Sequence, residues 1–449
     1  MMKLPKIARP RLPLPLLPLL LWLTACPGPT PTPLPPTATS TPIEAPTASP
    51  TETPTPEEPV APAEVDPGEL EALLVTELGI SASDSGPGLE GVRAFPLVNT
   101  PDETPLWVAY TYGLRSFDPP QHHVLAIYTV DETQGSGWQA LARADLVESG
   151  DPTNLGLAPD FVADGAVTQT LIEPTHLWIQ LEGGVGAHSG VYGLFSFADG
   201  ALTQQLSGFS SSPGVAQLAD LNGDGIEEVL LDATDYYVFC YACGVRRVEY
   251  TIHRWDGAQM TPLLLAPLPD DAPAPLVELN VRALQLVEAG LWKDALATID
   301  EALTLSVSDP SEVFTWNSAA IRLNAEAKRD AIADSAYPLL AHIFYGDFEA
   351  AVGLIRDEAW VDGAFIPDTP LIVGTVAEGW EEALAEWITG AAESALAYDP
   401  ELAAAHFLMG WAAYVQTQDE AAALPHIQRA AELAPDDEFY AKSVEFLGG

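Results

Sequence analysis

Basic side chains are scarce in this sequence. Its 449 residues include 18 Lys or Arg against 64 Asp or Glu, which gives a formal net charge of −46. Nucleic acid is bound by clustered positive charge that displaces the counterions of the phosphates, and anionic lipid headgroups attract the same kind of cluster. The composition therefore excludes nucleic acid as a partner, and it excludes a polybasic contact with a membrane surface.

Cysteines and long apolar segments are also few. Three cysteines are too few for a disulfide-rich scaffold or for a zinc site with four thiolates. After the first 25 residues, no segment reaches the roughly 20 apolar residues that a transmembrane helix needs. Hydrophobic residues still make up 47% of the chain, so we expect folded cores in two or three domains.

Residues 1–25 are predicted to be an export signal. Basic residues come first, an apolar run from Leu12 to Leu23 follows, and small residues precede Cys26. The sequence Leu23-Thr24-Ala25-Cys26 resembles the lipobox of bacterial lipoproteins. That resemblance implies cleavage before Cys26, acylation of its thiol and attachment to the cell membrane on the extracytoplasmic side. The alternative is a soluble secreted protein in which Cys26 is incidental.

Residues 26–67 are predicted to be a disordered linker. The stretch is dominated by Pro, Thr, Ser, Ala and Glu, and such a chain cannot bury enough apolar area to fold. Frequent proline favours extended polyproline II. We expect the linker to hold the folded part away from the lipid surface.

Residues 68–268 are predicted to form a β-rich domain. After a helix candidate at 68–78, apolar and polar residues alternate with the period of strands, as in 108–112, 177–181 and 191–195. Three weakly similar units each join strands through a turn such as Asp199-Gly200. The units resemble blades of a β-propeller, although three are too few for a closed ring. A propeller-like meander and an irregular sandwich both remain open.

One acidic loop in this region stands out. The sequence from Asp220 to Glu228, DLNGDGIEE, resembles the calcium loop of FG-GAP and related integrin-type repeats. The resemblance implies a structural calcium ion, because side-chain and carbonyl oxygens at alternate positions converge on a hard cation. The implied ligands are Asp220, Asn222, Asp224, the carbonyl of Ile226, and Glu228. The alternative is an acidic turn without metal.

Cys240 and Cys243 have the CxxC spacing. They lie between two strand-like runs, whereas the cysteines of a thioredoxin-like site begin a helix. In an exported protein the surroundings are oxidising, so a local structural disulfide is the favoured interpretation. Redox chemistry and metal binding are the alternatives.

Residues 274–449 are predicted to be helical, because apolar residues recur at intervals of three and four. The segment 283–305 resembles a tetratricopeptide repeat, with Gly290 at the inter-helix turn, Trp292 two positions on, and Ala295 at the helix crossing. Pro400 and Pro435 are 35 residues apart, close to the period of that family. The resemblance implies an α-helical solenoid whose groove binds a peptide or protein segment. An ordinary helical bundle is the alternative.

No catalytic motif is recognisable in the chain. We therefore predict a non-enzymatic, lipid-anchored extracytoplasmic scaffold or binding protein that engages a partner protein through its tetratricopeptide-like groove. With few basic residues, that groove is expected to prefer apolar or basic segments. Two alternatives remain: a hydrolase of envelope glycans or peptides in the β-rich domain, and a carbohydrate-binding adhesin. The aromatic candidates of the adhesin are Trp107, Trp138, Trp178 and Trp255.

Replacing Cys26 by Ser tests the anchor. Without its acylated thiol the protein loses the attachment that buried acyl methylenes supply, at about 0.8 kcal/mol each. We expect Cys26→Ser to move the protein from the membrane to the soluble fraction, measured by fractionation and immunoblotting. Membrane retention equal to that of the wild type would contradict lipidation.

Overall fold

The computed structural model describes residues 66–78, 91–100, 104–114, 122–131, 133, 137–147, 158–305, 307 and 311–448. The predicted export signal, Cys26 and nearly all of the predicted linker lie outside the described residues. Within them, antiparallel strands come first and helices follow. The prediction of a β-rich part followed by an α-helical part is confirmed.

The first sheet contains eight antiparallel strands, in the order β4-β3-β2-β5-β6-β7-β8 with β1 also paired to β2. A short helix precedes it. The bounds are α1 (Pro67–Glu77), β1 (Gly91–Pro96), β2 (Leu106–Leu114), β3 (His123–Val130), β4 (Trp138–Leu146), β5 (Phe161–Thr170), β6 (Leu177–Val185), β7 (Ser189–Ala198) and β8 (Ala201–Ser210). The two edges, β4 and β8, approach each other, so the sheet curls into a half-barrel.

The alternation along each strand explains why both faces of this sheet are covered. Val108 and Ile127 point into the half-barrel, together with Ile179. Ala109 and Ala126, next to Val108 and Ile127 in sequence, face the other way and pack under Leu70 and Leu74 of α1. Because successive side chains of a strand point to opposite faces, one strand supplies both cores.

A second, smaller sheet packs outside the half-barrel. Its strands are β9 (Ala216–Ala219), β10 (Glu228–Asp232), β11 (Tyr250–Trp255) and β12 (Met260–Pro262), in the order β12-β11-β10-β9. Val229 packs against Trp178 of β6. Its neighbour Leu230 points the other way, towards Ala320 in the helical region. The small sheet therefore lies between the half-barrel and the helices.

The helical region follows directly. Its helices are α2 (Ala274–Glu288), α3 (Trp292–Leu303), α4 (Val313–Asp334), α5 (Pro338–Tyr345), α6 (Phe348–Glu358), α7 (Trp360–Ala364), α8 (Glu381–Tyr398), α9 (Ala403–Thr417), α10 (Glu420–Leu433) and α11 (Glu438–Phe446). Most consecutive helices pack on one another, and in addition α5 contacts α8 and α6 contacts α9. None of the helices in the described residues is both long and apolar enough to cross a bilayer.

Glycine determines how closely two of the helix turns approach. Gly290 and Gly346 end α2 and α5 with φ angles of +74° and +80°, which side chains with a Cβ rarely adopt. A Cβ on Gly346 would lie 2.6 Å from the carbonyl oxygen of Gly290. The two turns therefore touch, and glycine is required at the contact.

Helix α4 joins the helices to the small sheet through side-chain amides. Asn324 accepts from the backbone N–H of Tyr250 at 2.8 Å and donates to its carbonyl at 3.2 Å. Asn317, two turns earlier on the same face, makes the same pair of bonds with Ala266 at 3.1 and 2.6 Å. Lys328 donates to the carbonyl of Val248. One face of α4 thus satisfies main-chain groups that no neighbouring strand pairs with.

Removing one of these amides tests the junction. Asn324→Ala leaves the N–H and C=O of Tyr250 without their partner, so we expect the free energy of unfolding to fall by about 1–3 kcal/mol. Urea denaturation measures the change. Thr315→Ala, at an exposed position of the same helix, is the control and is expected to change stability little. Equal loss in the two variants would contradict a specific role for Asn324.

Candidate functional site

A cavity of about 760 Å³ lies where the β-rich part meets the helices, and we call it the junction cavity. It is bordered by the segment before β11, the segment after β12, the turns after α2 and α5, and the helices α4 and α8. The lining residues are Arg247, Glu249, Leu263, Leu264, Leu265, Val287, Glu288, Ala289, Gly290, Trp292, Lys328, Ile343, Phe344, Phe348, Glu386, Trp387, Gly390, Ala391 and Ser394. Several helices contribute, so the space exists only in the folded chain.

Three half-buried aromatic side chains form the walls. Trp292 opens α3, Phe344 lies near the end of α5, and Trp387 lies in α8. The rings of Phe344 and Trp387 meet edge to face with centroids 5.5 Å apart. Trp387 also donates its indole N–H to the carbonyl of Val238 at 3.2 Å. These contacts hold the rings in place and leave part of their surface towards the cavity.

Some charged side chains at the cavity form ion pairs and others do not. Arg247 lies 3.4 Å from Glu249 and places its guanidinium 5.6 Å from the centroid of the Trp387 ring. Glu288 and Glu386 are exposed at the cavity, and neither forms an ion pair within the described part of the chain. The cavity thus combines apolar walls with excess negative charge.

Lys328 supplies a buried amine in this setting. The residue is 4% exposed, and its Nζ lies 4.9 Å from the centroid of Trp292. Burial lowers the pKa of Lys328 to about 8; the carboxylate of Glu249 opposes the shift and the charge of Arg247 adds to it. Desolvation dominates because the ammonium ion loses more hydration than its surroundings replace.

The loop between β10 and β11 borders the same region. Its Cys240 and Cys243 form a disulfide, and a 3₁₀ turn spans Tyr241–Cys243. The preceding residues, Val238 and Phe239, are buried in the core of the helical region. This disulfide-closed loop therefore anchors the small sheet to α8, next to the junction cavity.

The acidic loop predicted to bind calcium is held by internal hydrogen bonds. Asp220 accepts from the backbone N–H groups of Gly223 at 2.7 Å and Gly225 at 2.9 Å. Asp224 accepts from the N–H of Ile226 at 2.7 Å, and from the side-chain amide of Asn222 at 2.7 Å. These bonds close the loop on itself between Asp220 and Ile226.

Glu228 lies at the base of this loop and is 1% exposed. It accepts from the N–H of Leu221 at 2.9 Å. The pKa of Glu228 is raised to about 7, mainly by burial; the hydrogen bond from Leu221 opposes the shift, and the charges of Asp224 and Asp220 add to it. A cation bound among these oxygens would favour the charged form of Glu228. The oxygen ligands of the acidic loop are therefore chemically suited to a hard cation. In the described residues, however, no group of three or more Asp, Glu, His or Cys side chains is arranged to hold a metal.

The tryptophans considered for sugar binding lie mainly in cores. Trp178 and Trp138 are 0% and 4% exposed. Trp178 packs edge to face on Trp255, and Trp138 on Trp107, with centroids 5.0 and 5.7 Å apart. The buried pair Trp138 and Trp178 offers no platform to a sugar.

Motif reasoning found only part of the junction cavity. Trp292 and Gly290 belong to the tetratricopeptide-like pattern, but Arg247, Lys328 and Trp387 belong to no motif. A signal was available on α4, where Asn317, Asn324 and Lys328 repeat at seven and four residues on one face. Residues at such a spacing share one face of a helix, which groups these polar side chains without saying what they contact.

Comparison with known proteins does not assign this chain to a family. No known protein family matches this chain, and no curated protein matches it either. The functional conclusion therefore depends on the geometry of the candidate sites.

Calcium binding to the acidic loop is testable by thermal unfolding. A ligand at a hundred times its Kd stabilises the folded state by about 2.7 kcal/mol, so we expect calcium to raise the Tm above its value in chelator. Asp224→Ala should abolish that rise, because it removes one of the converging carboxylates. Glu278→Ala removes a charge from an exposed position on α2 and should preserve it. Identical wild-type melting curves with calcium and with chelator would rule calcium out.

Proposed function

We propose that this protein is a lipid-anchored, extracytoplasmic binding protein whose helical region engages a segment of a partner protein. The observation that carries the proposal is the junction cavity, about 760 Å³ in volume and lined by aromatic side chains. Cavities of this size are typical of ligand sites. The anchor is the acylated Cys26 implied by the lipobox, and calcium in the acidic loop would stabilise the small sheet.

The walls of the cavity indicate what the partner inserts. Trp292, Phe344 and Trp387 present apolar ring surface inside a recess. Tryptophan is enriched among the residues that dominate binding energy at protein interfaces, because a recessed ring loses water from a large area on contact. An apolar or aromatic side chain of the partner is the matching occupant.

The charge of the cavity indicates the neighbouring residue of that segment. Glu288 and Glu386 are exposed and carry no ion pair in the described residues, while Arg247 is paired with Glu249. Opposite charge at an interface favours the correct partner, and like charge disfavours the wrong one. A basic residue beside the apolar anchor is therefore favoured, and an acidic peptide tail is repelled.

Selection from a random peptide display library tests this function. The full chain carrying Cys26→Ser is immobilised, so that acylation does not interfere, and bound peptides are sequenced. We expect enrichment of peptides that place a basic residue beside an aromatic or large aliphatic residue. Trp387→Ala should weaken binding of the selected peptides at least tenfold, because it removes one wall of the cavity.

Two matched variants make the result specific. Tyr398→Ala removes an aromatic ring that is 39% exposed on the same helix but outside the cavity, and it should leave peptide affinity unchanged. Glu386→Gln should weaken the peptides with a basic residue more than their neutral analogues. Selected peptides that bind wild type and Trp387→Ala equally would place recognition elsewhere and contradict the proposal.

A further inference from the structure

Three lysines fall within the described residues, and two of them are ion-paired. Lys293 lies 2.9 Å from Asp347, and Lys442 lies 2.7 Å from Glu438. The hydrogen bond to each carboxylate raises the pKa of its lysine. Both amines therefore stay protonated near neutral pH and are poor nucleophiles.

Lys328 differs from them in its burial and in its hydrogen-bond partner. Within the described part of the chain it has no carboxylate partner, and its contacts are the carbonyl of Val248 and the face of Trp292. The residue is 4% exposed and lines the junction cavity. With a pKa of about 8, on the order of a tenth of its side chains carry a neutral amine at pH 7. A lysine desolvated in an apolar pocket is a recognised form of activated nucleophile.

We propose that Lys328 is a selective site of covalent modification by neutral aldehydes, which enter the junction cavity and condense with its side-chain amine. This inference goes beyond partner binding and does not depend on it. The supporting observation is the position of Lys328. Among the lysines in the described residues, it alone is buried, lines a cavity and has no carboxylate partner.

The cavity also determines which carbonyl compounds reach the amine. Trp292, Phe344 and Trp387 accept an apolar or aromatic body, and 760 Å³ holds a molecule of two fused rings. Glu288 and Glu386 repel an anionic compound such as a keto acid or an aldehyde that carries a phosphate. Neutral aromatic or aliphatic aldehydes are therefore the matching class.

The reaction needs no oxidant or reductant. The neutral amine of Lys328 attacks the carbonyl carbon, and a C–N bond forms as the π bond of the carbonyl breaks. A proton passes from the nitrogen to the carbonyl oxygen, which gives a carbinolamine. The carbinolamine then loses its hydroxyl group and the nitrogen proton as one water molecule, which leaves an imine. Hydrolysis reverses the reaction. The proton released when the ammonium ion becomes an amine goes to solvent or to the nearby carboxylate of Glu249.

Reductive labelling tests the proposal. The full chain carrying Cys26→Ser is incubated with 2-naphthaldehyde and sodium cyanoborohydride, which reduces the imine to a stable secondary amine, and labelled lysines are identified by peptide mass spectrometry. At pH 7.5 we expect Lys328 to be labelled at least tenfold more than Lys293 or Lys442. The matched anionic probe, 6-carboxy-2-naphthaldehyde, should label Lys328 several-fold less.

The pH dependence gives a second readout. Labelling of Lys328 should reach half its maximum near pH 8, whereas labelling of the two ion-paired lysines should still be rising above that pH. The charged groups that face Lys328 are Arg247 and Glu249 from the segment before β11. Glu288 of α2 and Glu386 of α8 line the same cavity.

Variants locate the reaction in the cavity. Lys328→Arg should remove the label at this position, and Trp387→Ala should reduce labelling of Lys328 while Tyr398→Ala leaves it unchanged. Equal labelling of the three lysines in the wild type, or equal labelling by the neutral and the anionic probe, would overturn the proposal. Because that comparison is made within one folded protein, it remains decisive if a variant fails to fold. If Lys328 is labelled selectively but no peptide binds, the result supports modification of Lys328 and contradicts only the proposed binding of a partner protein.

Discussion

The junction between the two parts of the protein depends on side-chain amides of α4 that bind main chain. Asn317 and Asn324 each give one donor and one acceptor to a single backbone residue, which is what a neighbouring strand would otherwise do. A buried N–H or C=O without a partner costs about 1–3 kcal/mol. The same helix also packs Ala320 against Leu230 and Ile252 of the small sheet. Polar and apolar contacts therefore hold the sheet in one position against the helices.

That fixed position creates the junction cavity. The next turn of α4 after Asn324 carries Lys328, so the contact that satisfies Tyr250 also draws a lysine out of solvent. The segment that carries Arg247 and Glu249 is positioned by the same bonds, and it lies over the ends of α2 and α5. The composition of the cavity, aromatic with one buried amine and unpaired carboxylates, thus follows from how α4 meets the sheet.

The cavity differs from the open groove that a helical solenoid alone would present. The disulfide-closed loop buries Val238 and Phe239 among the helices, and Trp387 donates to the carbonyl of Val238. Part of the helical surface is therefore covered by the chain itself. The remaining cavity has room for one or two side chains or a small molecule, and not for a long peptide. Under the proposed function, recognition would therefore depend on both parts together.

Local pattern in the sequence determined which segments form strands or helices, their order along the chain, and the two turns at Gly290 and Gly346. These follow from the period of apolar residues and from backbone conformations that only glycine readily adopts, and both depend on near neighbours in the chain. The half-barrel curl and the junction cavity were decided by tertiary structure alone. Lys328 and Trp387 line the same cavity only when the small sheet, α4 and α8 pack together, because a periodic pattern on one element does not say which distant segment packs against it.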